Sequence, residues 1–151
     1  MEVLKFDSGI KEYQLVSGGD VLRFNPSDPN VYARYVDAME KIKTVEKKMA
    51  AKANVIDPSK DDQATGEAIL RIMSETDKKM KEILNEVFGQ GNDFDKILCG
   101  VNLMAVATNG QRVVTNLIDA LQPVMESGAK ACANEEVDAA KLNREQRRAL
   151  R

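Results

Sequence analysis

The sequence predicts a mainly α fold of the α+β kind: a small N-terminal antiparallel β-meander, a long αα-hairpin and shorter C-terminal helices. Three observations carry that expectation. Apolar residues recur at spacing two within positions 1–25, they step by four and three along two long tracts between 29 and 89, and Gly, Pro and Asn-Gly clusters separate the tracts. The 151 residues are enough for one globular domain, expected at 1–128, with a charged tail or weak helix at 129–151.

Leu4 and Phe6, Tyr13 and Leu15, and Leu22 and Phe24 form the three period-two pairs of the meander, each flanked by polar neighbours. The breaks between them, Asp7-Ser8-Gly9 and Ser17-Gly18-Gly19-Asp20, are turn chemistry, because glycine accepts a positive φ. Three short strands are not stable alone, so their apolar face is expected to cover helices.

Asn25-Pro26-Ser27-Asp28-Pro29-Asn30 stops the sheet. Asp28 is placed to cap a helix whose first position is Pro29, where a missing N–H costs nothing. Tyr35, Met39, Ile42, Glu46, Met49, Ala53 and Ile56 then trace a stripe that only Glu46 interrupts. Asp57-Pro58-Ser59 repeats the signal, and after the polar stretch 60–65 a second stripe follows: Ile69, Met73, Thr76, Met80, Ile83 and Val87, stopped by Gly89. The two helices, at 29–89, are expected to pair as an antiparallel hairpin with a Met-rich seam that tolerates repacking.

Further helices are expected at 93–127. Asp93 can cap a short one from Phe94 to Cys99 that Gly100 ends, and residues 101–107 are apolar and expected to be buried. Past the Asn109-Gly110 turn, Val113, Val114, Leu117, Ile118, Leu121 and Met125 trace the last helix, which Pro123 should kink or end, with Ser127-Gly128 closing the globule. In the tail, Glu135, Glu136 and Asp138 precede Lys141, Arg144, Arg147, Arg148 and Arg151, a polarity that matches a helix dipole, with Asn134 as its cap.

Composition removes whole classes of function. There is no His, so no His general base, no Ser-His-Asp or Cys-His arrangement and no His-containing metal site. The 22 basic and 24 acidic side chains leave a formal charge of −2, with no global drive towards nucleic acid. No apolar run approaches the roughly 20 residues of a membrane span, and Glu2, Lys5 and Asp7 precede any run that could serve as a secretory leader. Cys99 and Cys132 have no metal spacing; they are expected to be reduced thiols, Cys99 as a small buried hydrophobe.

Two loops imitate binding motifs. Gly89-Gln90-Gly91 fails the dinucleotide fingerprint, because Phe94 occupies the last glycine position and a helix precedes the loop. Asp57, Ser59, Asp61, Asp62 and Glu67 cluster oxygen ligands, but a calcium loop needs Gly where Asp62 stands and an acid where Ala68 stands. No catalytic, metal or cofactor-binding residue is therefore assigned. Five of the seven aromatics, Phe6, Tyr13, Phe24, Tyr32 and Tyr35, lie in the first 35 residues, expected to build a core shared by sheet and first helix and, in part, an association surface.

The order of these features resembles the tail assembly chaperones of long-tailed phages and prophages of Gram-positive bacteria. The residues that carry the resemblance are Phe24-Asn25-Pro26-Ser27-Asp28 before the first long helix and Val87-Phe88-Gly89-Gln90-Gly91 at the end of the second. Leu98-Cys99-Gly100 and, past Asn109-Gly110, Leu117-Ile118-Asp119-Ala120-Leu121-Gln122-Pro123 complete it, over about residues 3–127. The resemblance implies a non-enzymatic assembly factor in the cytoplasm of a bacterial host cell. It would self-associate and coat the tape measure protein until tail tube protein polymerises around it. Alternatives are a structural virion or adaptor protein of the tail, or a small nucleic-acid-binding regulator using the basic tail. Candidate partner or self-association residues are Tyr32, Tyr35, Met39, Met73, Met80, Phe88 and Phe94; Lys141, Arg144, Arg147, Arg148 and Arg151 are candidates for electrostatic contacts. No cofactor and no membrane partner is expected.

Overall fold

The computed structural model describes residues 1–56, 59 and 63–150. Its sheet has two strands where three are expected. β1 (Lys11–Gln14) and β2 (Val21–Phe24) pair antiparallel, with Lys11 opposite Phe24 and Gln14 opposite Val21. The third strand, expected around Leu4 and Phe6, is not formed, and both side chains are exposed. A local clamp accounts for this. Asn25, the residue after β2, donates from Nδ2 to the Ser8 carbonyl at 3.0 Å, and Gly9 lies so close that a Cβ there would stand 2.6 Å from that nitrogen. The chain entering β1 therefore runs past the end of β2 and does not turn back along β1.

α1 (Pro29–Asn54) begins as its sequence dictates: the Asp28 carboxylate accepts from the Asn30 N–H at 2.9 Å, with Pro29 at the first position. α2 (Gln63–Phe88) ends at Gly89, whose φ of +83° is the left-handed conformation expected there. The helices run antiparallel. Arg34 near the start of α1 donates to the Val87 carbonyl at 2.9 Å near the end of α2, while Met49 lies beside Thr76. The second cap-and-proline signal, Asp57-Pro58, and the acidic pair Asp61-Asp62 lie outside the described residues.

α3 (Phe94–Ile97) is a single turn capped by Asp93, which accepts from the Asp95 N–H at 3.0 Å. Cys99 follows it with a φ of +54° and is exposed, correcting the expectation of a buried thiol. Ile97 and Leu98 fill the core, and the left-handed turn at Cys99 and Gly100 leaves Cys99 at the surface, its sulfur beside Gly19. Within 101–107 only Leu103 and Met104 are fully buried; Val101 and Val106 face solvent. The Asn109-Gly110 turn forms, closed by Ala107 N–H donating to the Gln111 carbonyl at 2.7 Å.

α4 (Val113–Ala149) is one helix of 37 residues. Neither Pro123 nor Ser127-Gly128 ends it, and Asn134 lies in its interior and caps nothing. Pro123 and Asp119 are both exposed, so the carbonyl that the proline leaves without an N–H partner can be hydrated. The packing stops one turn past Gly128: Cys132 is the last partly buried residue and residues 133–150 are all exposed, a helix of charged surface projecting from the globule.

The core joins Leu22 and Phe24 of β2 to Val31, Tyr35 and Ile42 of α1, Met80, Leu84 and Phe88 of α2, and Leu117, Leu121 and Met125 of α4. Rings connect its layers, with centroids 5.3 Å apart for Tyr13–Phe24, 4.7 Å for Phe24–Phe88 and 5.5 Å for Phe88–Phe94. Two polar groups fasten the loops to it. Asn92 is buried and bonds both the N–H and the carbonyl of Arg23, at 2.9 and 2.8 Å, and the Phe88 carbonyl at 3.0 Å. Lys81 reaches Asp77 at 3.0 Å and Asp95 at 2.7 Å, and Asp77 accepts from the Leu103 N–H at 2.7 Å. Burial works to lower the Lys81 pKa, but the bonds to Asp95 and Asp77 outweigh it and the net shift is upward.

Candidate functional site

The open surface richest in the residues singled out from sequence lies between α1 and α4. Tyr32, Val36 and Met39 step by four and three and so share one face of α1, and Ile118 of α4 stands across from them. With Glu40, Lys43, Glu46, Thr115, Asp119 and Gln122 they line an open groove of about 480 Å³. From Tyr32 to Glu46 the α1 wall spans about four turns, roughly 21 Å at 1.5 Å per residue.

Tyr35 fixes the base of the groove. Its hydroxyl donates to Gln122 Oε1 at 2.6 Å, and Gln122 Nε2 in turn donates to Glu126 Oε1 at 2.6 Å. Burial first, then the Glu126 carboxylate and Tyr32, push the Tyr35 pKa up to about 12. The phenol therefore stays protonated near neutral pH and serves as a strut between the helices. At the rim Glu40 pairs with Lys43 at 3.5 Å, which leaves Glu46 and Asp119 to set a negative potential. Apolar contact area bordered by acid suits an amphipathic helix with basic flanks, read through side chains at helical spacing.

The structure divides the sequence-predicted contact residues. Tyr32 and Met39 come together, half-buried, in the groove, and Tyr35 lies beneath them, 2 % exposed. Met73 is half-buried on α2, outside the groove. Met80, Phe88 and Phe94, together with Tyr35, belong to the core and are not available to a partner, which corrects their assignment. Helical spacing identifies an apolar stripe, and a stripe looks the same whether its own chain or another covers it. Lys141, Arg144, Arg147 and Arg148 are exposed on the projecting part of α4; Arg151 lies outside the described residues.

Val36, Ile118 and Gln122 are not among the contact residues expected from the sequence, although Ile118 is expected on the last helix and Ile118 and Gln122 lie in the motif that ends at Pro123. Val36 had a signal: with Tyr32 and Met39 it widens the apolar face of α1 beyond the single stripe a two-helix pair needs. Among the described residues no group of three or more Cys, Asp or Glu is placed to hold a metal ion, and no helix is long and apolar enough to cross a membrane. Comparison of the chain with protein-family models, with curated proteins and with solved structures finds no match in any of the three.

Proposed function

We propose that this protein is a tail assembly chaperone of a long-tailed phage or prophage. It acts in the bacterial cytoplasm by lending apolar helical surface to the tape measure protein and to further copies of itself, with no bond made or broken. The order of short motifs over about residues 3–127 supports the family. The groove between α1 and α4 carries the mechanism: Tyr32, Val36, Met39 and Ile118 offer adaptable apolar contacts along about two turns of α1, continued by the charged wall to Glu46. A partner that is long, repetitive and helical can slide in register along such a surface, since no single deep pocket dictates one fit.

The test is co-expression with a tape measure protein, the partner this reading requires. The wild type should keep that partner soluble, whereas Val36→Glu and Met39→Asp, both at the groove and outside the fully buried core, should release it to the pellet while leaving the fold intact. A partner that precipitates equally with and without the wild type sinks the reading. Mass spectrometry of purified particles separates a chaperone, depleted from finished tails, from a structural component that stays.

A further inference from the structure

The part of the molecule that the groove leaves unexplained is its first ten residues. Leu4 is 89 % and Phe6 84 % exposed, with Val3 and Ile10 also open to solvent. Leu4 and Phe6 have the period-two alternation of a strand with one buried face, yet residues 1–10 form no strand in their own chain. The clamp of Asn25 on Ser8 and Gly9 holds the arm's root past the end of β2 and so prevents the local hairpin.

A matching vacancy lies on β1. Asn92 occupies the N–H and carbonyl of Arg23, which therefore point away from β1. Opposite residues of an antiparallel pair share that orientation, so the N–H and carbonyl of Glu12 and, two residues on, Gln14 point outward from the other edge. Asn92 thus covers the β2 edge at Arg23, whereas among the described residues no hydrogen bond covers the outward main chain of Glu12 or Gln14 on the β1 edge. Next to β1 lies a groove of about 700 Å³, with Lys11 and Tyr13 on one wall, Pro123, Val124 and Ala131 of α4 on the other, and Gly9 and residues 25–27 closing one part of it. Four residues of arm, positions 3–6, match the four of β1 in length.

We propose that the arm of one copy adds as a third strand to the open β1 edge of a second copy, with Leu4 and Phe6 filling the groove between β1 and α4. Main-chain bonds to Glu12 and Gln14 supply the pairing, and the alternate apolar side chains supply the fit. The sheet expected from sequence is completed between chains. This deepens the self-association part of the proposed function and does not depend on the tape measure partner.

Sedimentation over a concentration series, with no partner present, tests it. The wild type should sediment as dimers or larger species. Leu4→Asp combined with Phe6→Asp removes the donor, and Glu12→Pro removes the acceptor by deleting an outward N–H at an edge position that tolerates proline. Each alone should fall to the 16.7 kDa monomer, and the two mixed should recover a species of twice that mass, because each supplies what the other lacks. Where Glu12→Pro alters the circular dichroism, Gln14→Pro takes its place on the same edge. A wild type that is monomeric throughout, variants that keep the wild-type mass, or a mixture that stays monomeric each overturn the inference. The readout is mass alone, so its failure is distinct from failure of the groove to hold a helical partner.

Discussion

Tyr35 of α1 and Gln122 of α4 are joined by a 2.6 Å hydrogen bond at the base of the groove, where α4 meets α1 far less extensively than α2 does. That bond sets the spacing of the groove walls. Tyr35→Phe keeps the ring in the core and deletes the strut, so it should cost about 1 kcal/mol in urea unfolding. The pH dependence has a definite sign. The folded pKa, about 12, lies above the ordinary 10.0, so the hydroxyl's contribution is complete below pH 10 and fades as pH rises towards 12. The stability gap between wild type and Tyr35→Phe should be flat up to pH 10 and shrink beyond it.

Lys81 presents the opposite case of a buried charge that two unequal partners hold. Its side chain is 6 % exposed; Asp77 is nearly as buried, while Asp95 is 64 % exposed. Lys81→Ala strands the Asp77 carboxylate in the interior and should cost about 3 kcal/mol. Asp95→Ala should cost much less, since Lys81 keeps Asp77 and water replaces the outer carboxylate. Lys81 holds the Asp95 carboxyl below its ordinary 3.8, so that contribution is present above 3.8 and lost as pH falls through the lowered value. The Lys81 pKa is raised above 10.5, so its contribution is complete below 10.5 and lost as pH rises past it. Urea midpoints of wild type and Asp95→Ala should converge in acid, as Asp95 is protonated, and in strong alkali, as Lys81 is neutralised, and stay apart between the two.

Asp77 and Lys81 also show where sequence reading stopped. On a helical wheel they fall beside Met80 and Leu84, and nothing local distinguishes a buried ion pair from a solvated one; the partner that buries them, the 93–104 loop, is assembled only by the fold. Local chemistry was legible: Asp28 before Pro29, Gly89 after Phe88, and Asn109-Gly110 each form what their backbone preferences dictate. The third strand failed because its partner edge is decided by Asn25, a contact 17 residues away. The helix through Pro123 was hidden because proline's cost depends on whether its face is wet. Of the groove, Tyr32 and Met39 were visible, but Ile118 faces them only through the crossing of two helices far apart in sequence.

Asn92 is the clasp between β2 and the end of α2. It is buried and makes three bonds, accepting from Arg23 N–H and donating to the Arg23 and Phe88 carbonyls. Asn92→Ala leaves those backbone groups short of partners next to the core and should cost about 2–3 kcal/mol. Asn92→Asp should do no better: it keeps the acceptor but turns an anion towards two carbonyls. Hydrogen exchange reads the effect at one site, since the Arg23 amide loses its acceptor in Asn92→Ala and should lose protection there before the α1–α2 pair does.

Two helical glycines should respond to the same substitution with opposite sign. Gly66 in α2 is exposed, and a Cβ there meets nothing within 4 Å, so Gly66→Ala adds helix propensity without a clash and should stabilise by about 1 kcal/mol. Gly128 in α4 is buried against the Pro26 carbonyl, which a Cβ would overlap. Gly128→Ala gains the same propensity but must push α4 off the segment that links β2 to α1, a net loss of about 1–3 kcal/mol. Because the projecting half of α4 begins here, the shift should also re-aim residues 129–150 and narrow or widen the groove beside Tyr13. Thermal unfolding of both variants checks the signs: if Gly128→Ala proves as stable as Gly66→Ala, α4 does not bear on Pro26 and the close approach is wrong.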